Sequence, residues 1–229
     1  GQLNINIPYS GYTNEVGAIA KSVQVLQKVA QDADALRWVK TNVNEVNRSV
    51  QAIENVEEYA HALMGRLTPL AGAQLGVLYA RAQDEDVFHF IGGYGVQRES
   101  ERLPAFSPGE GILGECAARG QAISIGQQHP TTLRIQTALL CTAPGQIRLY
   151  PVQDASGTTQ AVLELASVDI CEPRHELLMQ EMLPLVSLSL QIIQRNTLTR
   201  KLLEQTREQA RALETARERA DAREMRCWA

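Results

Sequence analysis

Few residues in this sequence have the types and spacing that chemistry requires. Residues 109–114, Gly-Glu-Gly-Ile-Leu-Gly, satisfy the GxGxxG pattern of dinucleotide-binding loops letter by letter. Such a loop needs a buried strand directly before its first glycine and an acidic residue about 20 positions later. Here Pro104 and Pro108 precede the loop, and Gln127-Gln128-His129-Pro130 stands where the acid belongs. The pattern therefore does not favour a nucleotide site.

The thiols and imidazoles form no recognisable catalytic or metal-binding set. The cysteines have no CxxC pair and no histidine at metal-ligand spacing; they are Cys116, Cys141, Cys171 and Cys227. No Cys or Ser stands at a spacing that proposes an orienting base. We expect free thiols in a reducing compartment, no catalytic residue and no metal site.

Composition excludes several classes of protein. The chain has 229 residues, 44% of them hydrophobic and 21% charged, which is enough to bury a core. Its net charge is −4, and no segment concentrates positive charge, so nucleic acid is not an expected partner. No apolar run reaches the length of a membrane span, and no signal peptide is visible. Because the chain begins at Gly1, we expect it to be part of a longer protein.

A helical pattern without proline extends from residue 13 to residue 66. Its apolar residues follow the alternating three- and four-residue spacing of a coiled-coil seam, through Val16, Ile19, Val23 and Leu26, and again through Val43, Val46 and Val50. Between these stretches, around Leu36 and Val39, three successive steps of three residues form a stammer. Two interpretations stay open: a phase break that stores or transmits rotation, or a seam that changes partners at a module boundary.

A second long helical pattern begins at Pro173. A seven-residue ladder passes through Leu185, Ile192, Thr199, Thr206, Leu213 and Ala220, and Arg and Glu cover the other faces. A helix of this kind needs a partner helix for its stripe. Pro184 should kink the helix or mark a boundary between two helices.

The middle of the chain has strand patterns. They cover residues 75–82, 87–91, 122–125, 146–152 and 160–168, with a short helix at 112–119. The turn Asp154-Ala155-Ser156-Gly157 joins the last two strands as a hairpin. The fold class is therefore α+β, an antiparallel sheet flanked by helices, with long coiled-coil helices at both ends.

This middle region resembles GAF domains, the small sensory modules of bacterial signalling proteins. The resemblance depends on Phe106 to Cys116 followed by residues 121–125, on the hairpin strands Ile147 to Val152 and Ala161 to Ser167, and on a first strand at 75–79. It covers residues 50–195.

The start of the chain resembles the end of a HAMP domain. Leu3, Ile5 and Ile7 alternate with polar residues, and Asn14-Glu15-Val16-Gly17 stands where HAMP domains usually have Asp-Glu-Ile-Gly. The resemblance implies four parts: the HAMP connector and second helix at 1–35, a signalling helix at 36–66, the GAF domain at 50–195 and a coiled-coil signalling helix at 196–229.

Together these resemblances imply a relay in a membrane-bound sensor of the hybrid histidine kinase type, with this chain in the cytoplasmic portion of an inner-membrane protein. The implied partners are a second copy, held in parallel through the N- and C-terminal helices, and an output domain in the same parent chain. The dimer seam comprises Val16, Ile19, Val23, Leu26, Val43, Val46, Val50, Leu185, Ile192 and Leu213. A diguanylate cyclase or chemoreceptor output stays open, as does a GAF-fold reductase of free methionine sulfoxide using Cys116 and Cys141.

GAF domains often hold a small ligand between the sheet and its covering loops, although no cofactor is implied here. Candidate ligand contacts are Tyr79, Leu113, Cys116, Ile125, Arg148, Tyr150 and Glu164. Glu164 lies among apolar residues, and a buried carboxylate requires a partner. If the hairpin places Arg148 opposite Glu164, the two form a cross-strand ion pair. The alternatives are a structural salt bridge, an exposed rim residue or a ligand contact.

Overall fold

The computed structural model describes residues 5, 7–8, 12, 14–82, 85–96, 103–126, 135–136 and 141–227, with side chains at 136, 141 and 215–227 excepted. The helices are α1 (Glu15–Val50), α2 (Val56–Leu70), α3 (Gly111–Arg119) and α4 (Pro173–Cys227). The strands are β1 (Leu75–Arg81), β2 (Phe88–Tyr94), β3 (Ile123–Gly126), β4 (Ile135–Gln136), β5 (Cys141–Thr142), β6 (Gln146–Gln153) and β7 (Thr159–Ser167). These bounds confirm the α+β class.

Five strands form one antiparallel sheet in the order β2-β1-β7-β6-β3. The predicted β6–β7 hairpin is present, and its turn is held by the Asp154 carboxylate, which accepts from the backbone N–H groups of Ser156 (2.8 Å) and Thr158 (3.0 Å). Gly157 has φ +84°, which the turn requires and which other residues rarely adopt. β4 and β5 pair separately as a two-stranded ladder.

The sheet separates two apolar clusters. One face packs against α1, α2 and α4 and contains Leu78, Tyr150, Val152, Leu163 and Leu165. The other face packs against α3 and contains Val77, Tyr79, Leu149 and Val162. We call them the helix face and the α3 face. Successive residues of a strand point to opposite faces, so β1, β6 and β7 contribute to both clusters.

The continuous helix predicted for residues 13–66 is wrong, because residues 51–55 break it. The Asn55 side chain accepts from the backbone N–H groups of Glu57 (2.8 Å) and Glu58 (3.0 Å), and so caps a new helix, α2. The apolar periodicity of the sequence continues across this break, so the sequence pattern does not reveal that the helix is interrupted. The predicted signalling helix 36–66 therefore belongs to two helices that pack on the same core.

The two halves of α1 have different surroundings. Val16, Ile19, Val23 and Leu26 are exposed, with Ile19 at 65% and Leu26 at 68%. In the second half, by contrast, the apolar residues Val39, Val43, Val46 and Val50 are buried in the helix-face cluster. The stripe passes from exposed to buried between Leu36 (49%) and Val39 (1%), at the stammer. This placement favours the interpretation that the seam changes partners at a module boundary.

Val43, Val46 and Val50 therefore need correction as dimer-seam residues. They pack against the chain's own helices, since the same cluster contains Leu178, Met182 and Val186 of α4. An apolar stripe in a sequence does not tell whether its partner lies in the same chain or in another.

α4 continues unbroken through Pro184, so the predicted boundary at that proline is absent. Its first part is buried through Leu178, Met179, Met182, Val186 and Leu190, and Leu185 packs against the same core. On another side of the helix, Leu188, Ile192, Leu202 and Leu213 are exposed. α4 therefore has a core-packed first part and an apolar stripe with no cover in the described chain.

The first helix begins at a well-formed cap. Asn14 Oδ1 accepts from the backbone N–H of Gly17 (3.1 Å), and a Cβ on Gly17 would lie 1.9 Å from the Tyr12 carbonyl oxygen. Asn caps helices as well as Asp does, so Asn14 makes the capping hydrogen bond that the aspartate of the HAMP-like pattern would make. Leu3, which belongs to the same predicted pattern, lies outside the described residues.

Candidate functional site

The structure divides the predicted ligand contacts between the two faces of the sheet. Tyr79 and Cys116 are buried in the α3-face cluster, and Leu113 packs against it. The β3–β6 pairing places Ile125 opposite Ile147, which packs against the same cluster. Arg148 and Tyr150 instead lie on the helix face. The seven residues therefore do not line one pocket.

Glu164 lies on the α3 face near the middle of the sheet, opposite Leu149 of β6 and Val77 of β1. Burial raises the pKa of its carboxyl group. Among the described residues the carboxylate makes no hydrogen bond and has no ion-pair partner. Tyr79 lies diagonally across from it, and burial together with the charge of Glu164 raises the pKa of the Tyr79 hydroxyl.

The predicted Arg148–Glu164 ion pair is wrong. Arg148 is opposite Leu165, and Glu164 is opposite Leu149, so the register differs by one residue from the one that the prediction needed. A one-residue difference places two side chains on opposite faces of a sheet.

Aromatic rings and α3 enclose the region around Tyr79. The Phe88 and Phe106 rings stack with centroids 5.1 Å apart, and Tyr79 meets Phe106 edge-on, also at 5.1 Å. Cys116 of α3 is fully buried, and its thiol donates to the Gln121 carbonyl oxygen (3.3 Å). These contacts make the α3 face an apolar layer in which Glu164 is the charged group.

Cys116 does not suit the reductase alternative. Burial raises the pKa of its thiol to about 11, so it stays protonated at neutral pH, whereas the thiolate is the nucleophile. Cys141 is in β5, and its side chain lies outside the described residues.

The glycine loop before α3 has a structural role. Gly109 (φ +83°) and Gly111 (φ +63°) adopt left-handed conformations, and the Gly109 N–H donates to the Gly114 carbonyl oxygen (2.8 Å). A Cβ on Gly114 would lie 2.3 Å from the Ser107 carbonyl oxygen. Residues 103–110 contain only an isolated bridge at Phe106, not the strand that a dinucleotide site needs before its first glycine.

A polar cluster on the helix face surrounds Arg148, which is 3% exposed. Arg148 Nη1 donates to the Tyr150 hydroxyl (3.3 Å) and lies against the Cys171 thiol, and Nη2 donates to the Ala71 carbonyl oxygen at the end of α2 (2.8 Å). The Tyr150 hydroxyl in turn donates to Glu176 Oε2 on the first turn of α4 (2.7 Å). This cluster connects the sheet to both α2 and α4.

Sequence reasoning did not find Ala71, Cys171 or Glu176 as members of this cluster. Their separations from Arg148 are 77, 23 and 28 positions, and nothing in local patterning joins such distant residues. Only the presence of an arginine inside an apolar strand signalled that a partner must exist.

In the described part of the chain, no three His, Cys, Asp or Glu side chains form a group that could hold a metal ion. One described helix, α4, is long and apolar enough to cross a membrane. Core helices pass the same test, and the apolar residues in the first part of α4 are buried against the sheet.

Solved structures of low sequence identity share this architecture, whereas no protein-family model and no curated protein matches the chain. The GAF domain of a phosphoenolpyruvate-protein phosphotransferase from Coxiella burnetii superposes with a TM-score of 0.58 and 13% identity, over 69% of this chain and 96% of that one. The nlh2 GAF domain of A. aeolicus in an inactive state gives 0.54 and 19%, over 69% and 98%.

The free methionine-R-sulfoxide reductase of Neisseria meningitidis in complex with its substrate gives a TM-score of 0.54 with 14% identity, over 69% of this chain and 91% of that one. A fold of this kind carries both sensory domains and an enzyme, so likeness at these identities establishes architecture and not activity. The chain therefore has the GAF fold, extended by long helices at both ends.

Proposed function

We propose that this chain is the sensory and relay module of a membrane-bound signal-transduction protein, in which the GAF fold connects an input helix to an output helix. The observation that carries the proposal is the course of α1 and α4. Arg174 stacks over the Trp38 ring at 5.2 Å, and Arg200 forms an ion pair with Glu54 just after α1. α1 and α4 therefore run in the same direction along the sheet.

This arrangement gives the module an input end and an output end. The exposed half of α1 precedes Trp38 and extends from one end, while the part of α4 beyond Arg200 extends from the other end. A rotation or shift of α1 would reach α4 through their shared core. Shifting a two-state equilibrium tenfold takes only about 1.4 kcal/mol, which a few changed contacts can supply.

The proposed functional unit is a parallel homodimer. Four seam residues of α1 are exposed, as are Ile192 and Leu213 on the heptad ladder of α4. A second copy placed side by side would cover both stripes at once, because the two helices run in the same direction.

The proposed ligand face is the α3 face. Glu164 there is a half-buried carboxylate with no hydrogen-bond or ion-pair partner among the described residues, and a ligand with a cationic or hydrogen-bond-donating group would satisfy it. Tyr79, Leu113, Cys116 and Ile125 would contribute the surrounding contacts. Arg148 and Tyr150 are removed from this set, because they point to the other face.

For the parent protein we propose a sensor histidine kinase, possessing a HAMP domain before this chain and lying in the inner membrane with this module in the cytoplasm. The support is the capped Asn14–Gly17 turn leading into an exposed heptad stripe. A diguanylate cyclase or chemoreceptor output would use the same module, and the sequence that follows residue 229 distinguishes them.

Cysteine cross-linking tests the parallel dimer. In a chain with Cys141, Cys171 and Cys227 replaced by serine, we expect Ile19→Cys to form a disulfide-linked dimer on mild oxidation, because a parallel in-register seam places each residue beside its own copy. Gln24→Cys, exposed on the same helix but off the seam, is the matched control. Equal cross-linking of both variants, or a monomer by sedimentation equilibrium at high micromolar concentration, contradicts the proposal.

Native mass spectrometry tests the ligand face. We expect the purified dimer to carry additional mass that the Glu164→Leu variant loses while it remains a dimer. A dimer whose mass equals that of two chains without ligand would contradict the proposal that the α3 face binds a ligand. It would not contradict the proposed relay through the helices.

A further inference from the structure

The guanidinium of Arg148 is a buried cation whose hydrogen-bond acceptors in the described chain are all neutral. They are a phenol, a thiol and a backbone carbonyl, from Tyr150, Cys171 and Ala71. No described carboxylate lies within ion-pair distance of it, and its Nε atom has no hydrogen-bond partner among the described residues. Glu176 is joined to Arg148 only through the Tyr150 hydroxyl. A buried charge without a direct counter-ion is costly, so the site favours an added anionic group.

A cleft of about 370 Å³ opens beside this guanidinium, between the β3 edge of the sheet and the start of α4. Arg148 and Tyr150 form its buried floor, whereas Glu172 is exposed and Glu176 half-buried. Ala122 and Pro173 add a small apolar wall. Glu172 is paired with Arg174 (2.9 Å). The cleft therefore presents one positive group at depth, the Glu176 carboxylate nearer solvent and a small apolar surface.

We propose that this cleft binds a small zwitterion of the α-amino-acid type, with its carboxylate on Arg148, its ammonium group on Glu176, and its side chain against Ala122 and Pro173. A simple anion would be repelled by Glu176, and a simple amine would leave the guanidinium without a direct counter-ion. The Cys171 thiol is a weak acceptor, so the ligand carboxylate can take its place on Nη1.

Binding at this position would affect the first turn of α4, the proposed output helix. Cys171 and Glu172 directly precede α4, and Glu176 is on its first turn. The cleft lies on the helix face, opposite Glu164, so this inference does not depend on any ligand of the α3 face.

The first test uses the full chain and the twenty common L-amino acids, each at millimolar concentration, with thermal shift as the readout and calorimetry for the one that shifts most. We expect that amino acid to bind at least tenfold more tightly than its deaminated acid and than its decarboxylated amine. If no amino acid shifts the melting temperature, or if either fragment binds as well as the parent, the proposal is wrong.

Variants then locate the site. We expect Glu176→Gln to weaken binding of the amino acid about tenfold and to leave binding of its deaminated acid unchanged or improved, because the lost charge faces the ammonium group. Ala122→Phe should block the cleft, since Ala122 is exposed and lines it. Ala155→Phe in the exposed β6–β7 turn is the matched control, and Glu164→Gln should not alter binding. Unchanged binding in Glu176→Gln and Ala122→Phe would overturn the proposal without requiring any change to the buried Arg148.

Discussion

At the scale of single residues, Glu164 should cost stability at neutral pH. Burial raises the pKa of this carboxyl above its unfolded value, so the folded chain holds the proton more tightly than the unfolded chain does. The stabilisation from the protonated form is fully present below the unfolded pKa and is lost as the pH rises through the folded pKa. We therefore expect Glu164→Gln to be more stable than the parent at pH 7 by about 1 kcal/mol, with the difference shrinking toward pH 4.

Urea denaturation of both chains from pH 4 to pH 8 measures this effect. Glu181→Gln, an exposed glutamate on α4, controls for the loss of one negative charge from the chain. A Glu164→Gln variant that is less stable than the parent at pH 7 would mean that the carboxylate has a favourable partner, as the ion-pair prediction assumed.

The candidate site was predictable only in part, for a reason visible at Arg148 and Glu164. Polar residues within apolar strands did identify the buried Arg148 and the half-buried Glu164. Strand register decides which face each one occupies, and the hairpin turn sets that register through local hydrogen bonds at Asp154. The sequence does not determine the strand register or the turn to within one residue. A difference of one residue places Arg148 and Glu164 on opposite faces of the sheet, so they form two separate sites instead of an ion pair.

At the scale of elements, the contact between α2 and β2 depends on a glycine. A Cβ on Gly92 would lie 2.6 Å from the Ala60 Cβ and 2.8 Å from the His61 backbone nitrogen, and backbone atoms of a packed helix cannot move aside cheaply. We expect Gly92→Ala to destabilise the fold by about 2 kcal/mol, measured by urea denaturation.

Gly65→Ala is the matched control for this contact. Gly65 lies inside α2, and nothing is within 4 Å of its added Cβ, so the substitution should stabilise by about 0.5–1 kcal/mol through helix propensity. If both variants changed stability in the same direction, α2 would not be seated on β2 as the structure has it.

The strands and the amphipathic helices were largely predictable, whereas the α1–α2 break was not. Strand alternation and the Asp154 to Gly157 turn are local signals, and they placed β1, β6 and β7 within two residues at each end. The break depends on Asn55, a capping residue that also occurs inside helices, and its effect becomes visible only when α1 and α2 both pack on one core. Tertiary packing, which local sequence patterns do not reveal, therefore determines where α1 ends and α2 begins.

At the scale of the whole molecule, α1 and α4 run side by side in the same direction, and this arrangement couples folding to assembly. The stripe that is exposed in one copy would be buried in two, so association stabilises the folded chain by mass action and makes the melting temperature depend on protein concentration. We expect the melting temperature of the parent chain to rise by several degrees between about 1 μM and about 100 μM.

Two α1 variants separate this coupling from ordinary stability. Ile19→Glu places a charge in the proposed seam, at a side chain that is 65% exposed in the single chain, so it should abolish the concentration dependence with little effect on the fold at low concentration. Gln24→Glu adds the same charge to the exposed side of the same helix and should keep the dependence. A parent chain whose melting temperature is constant over this range would show that the exposed stripes of α1 and α4 do not meet a second copy, and would shift the search for their partner to the rest of the parent protein.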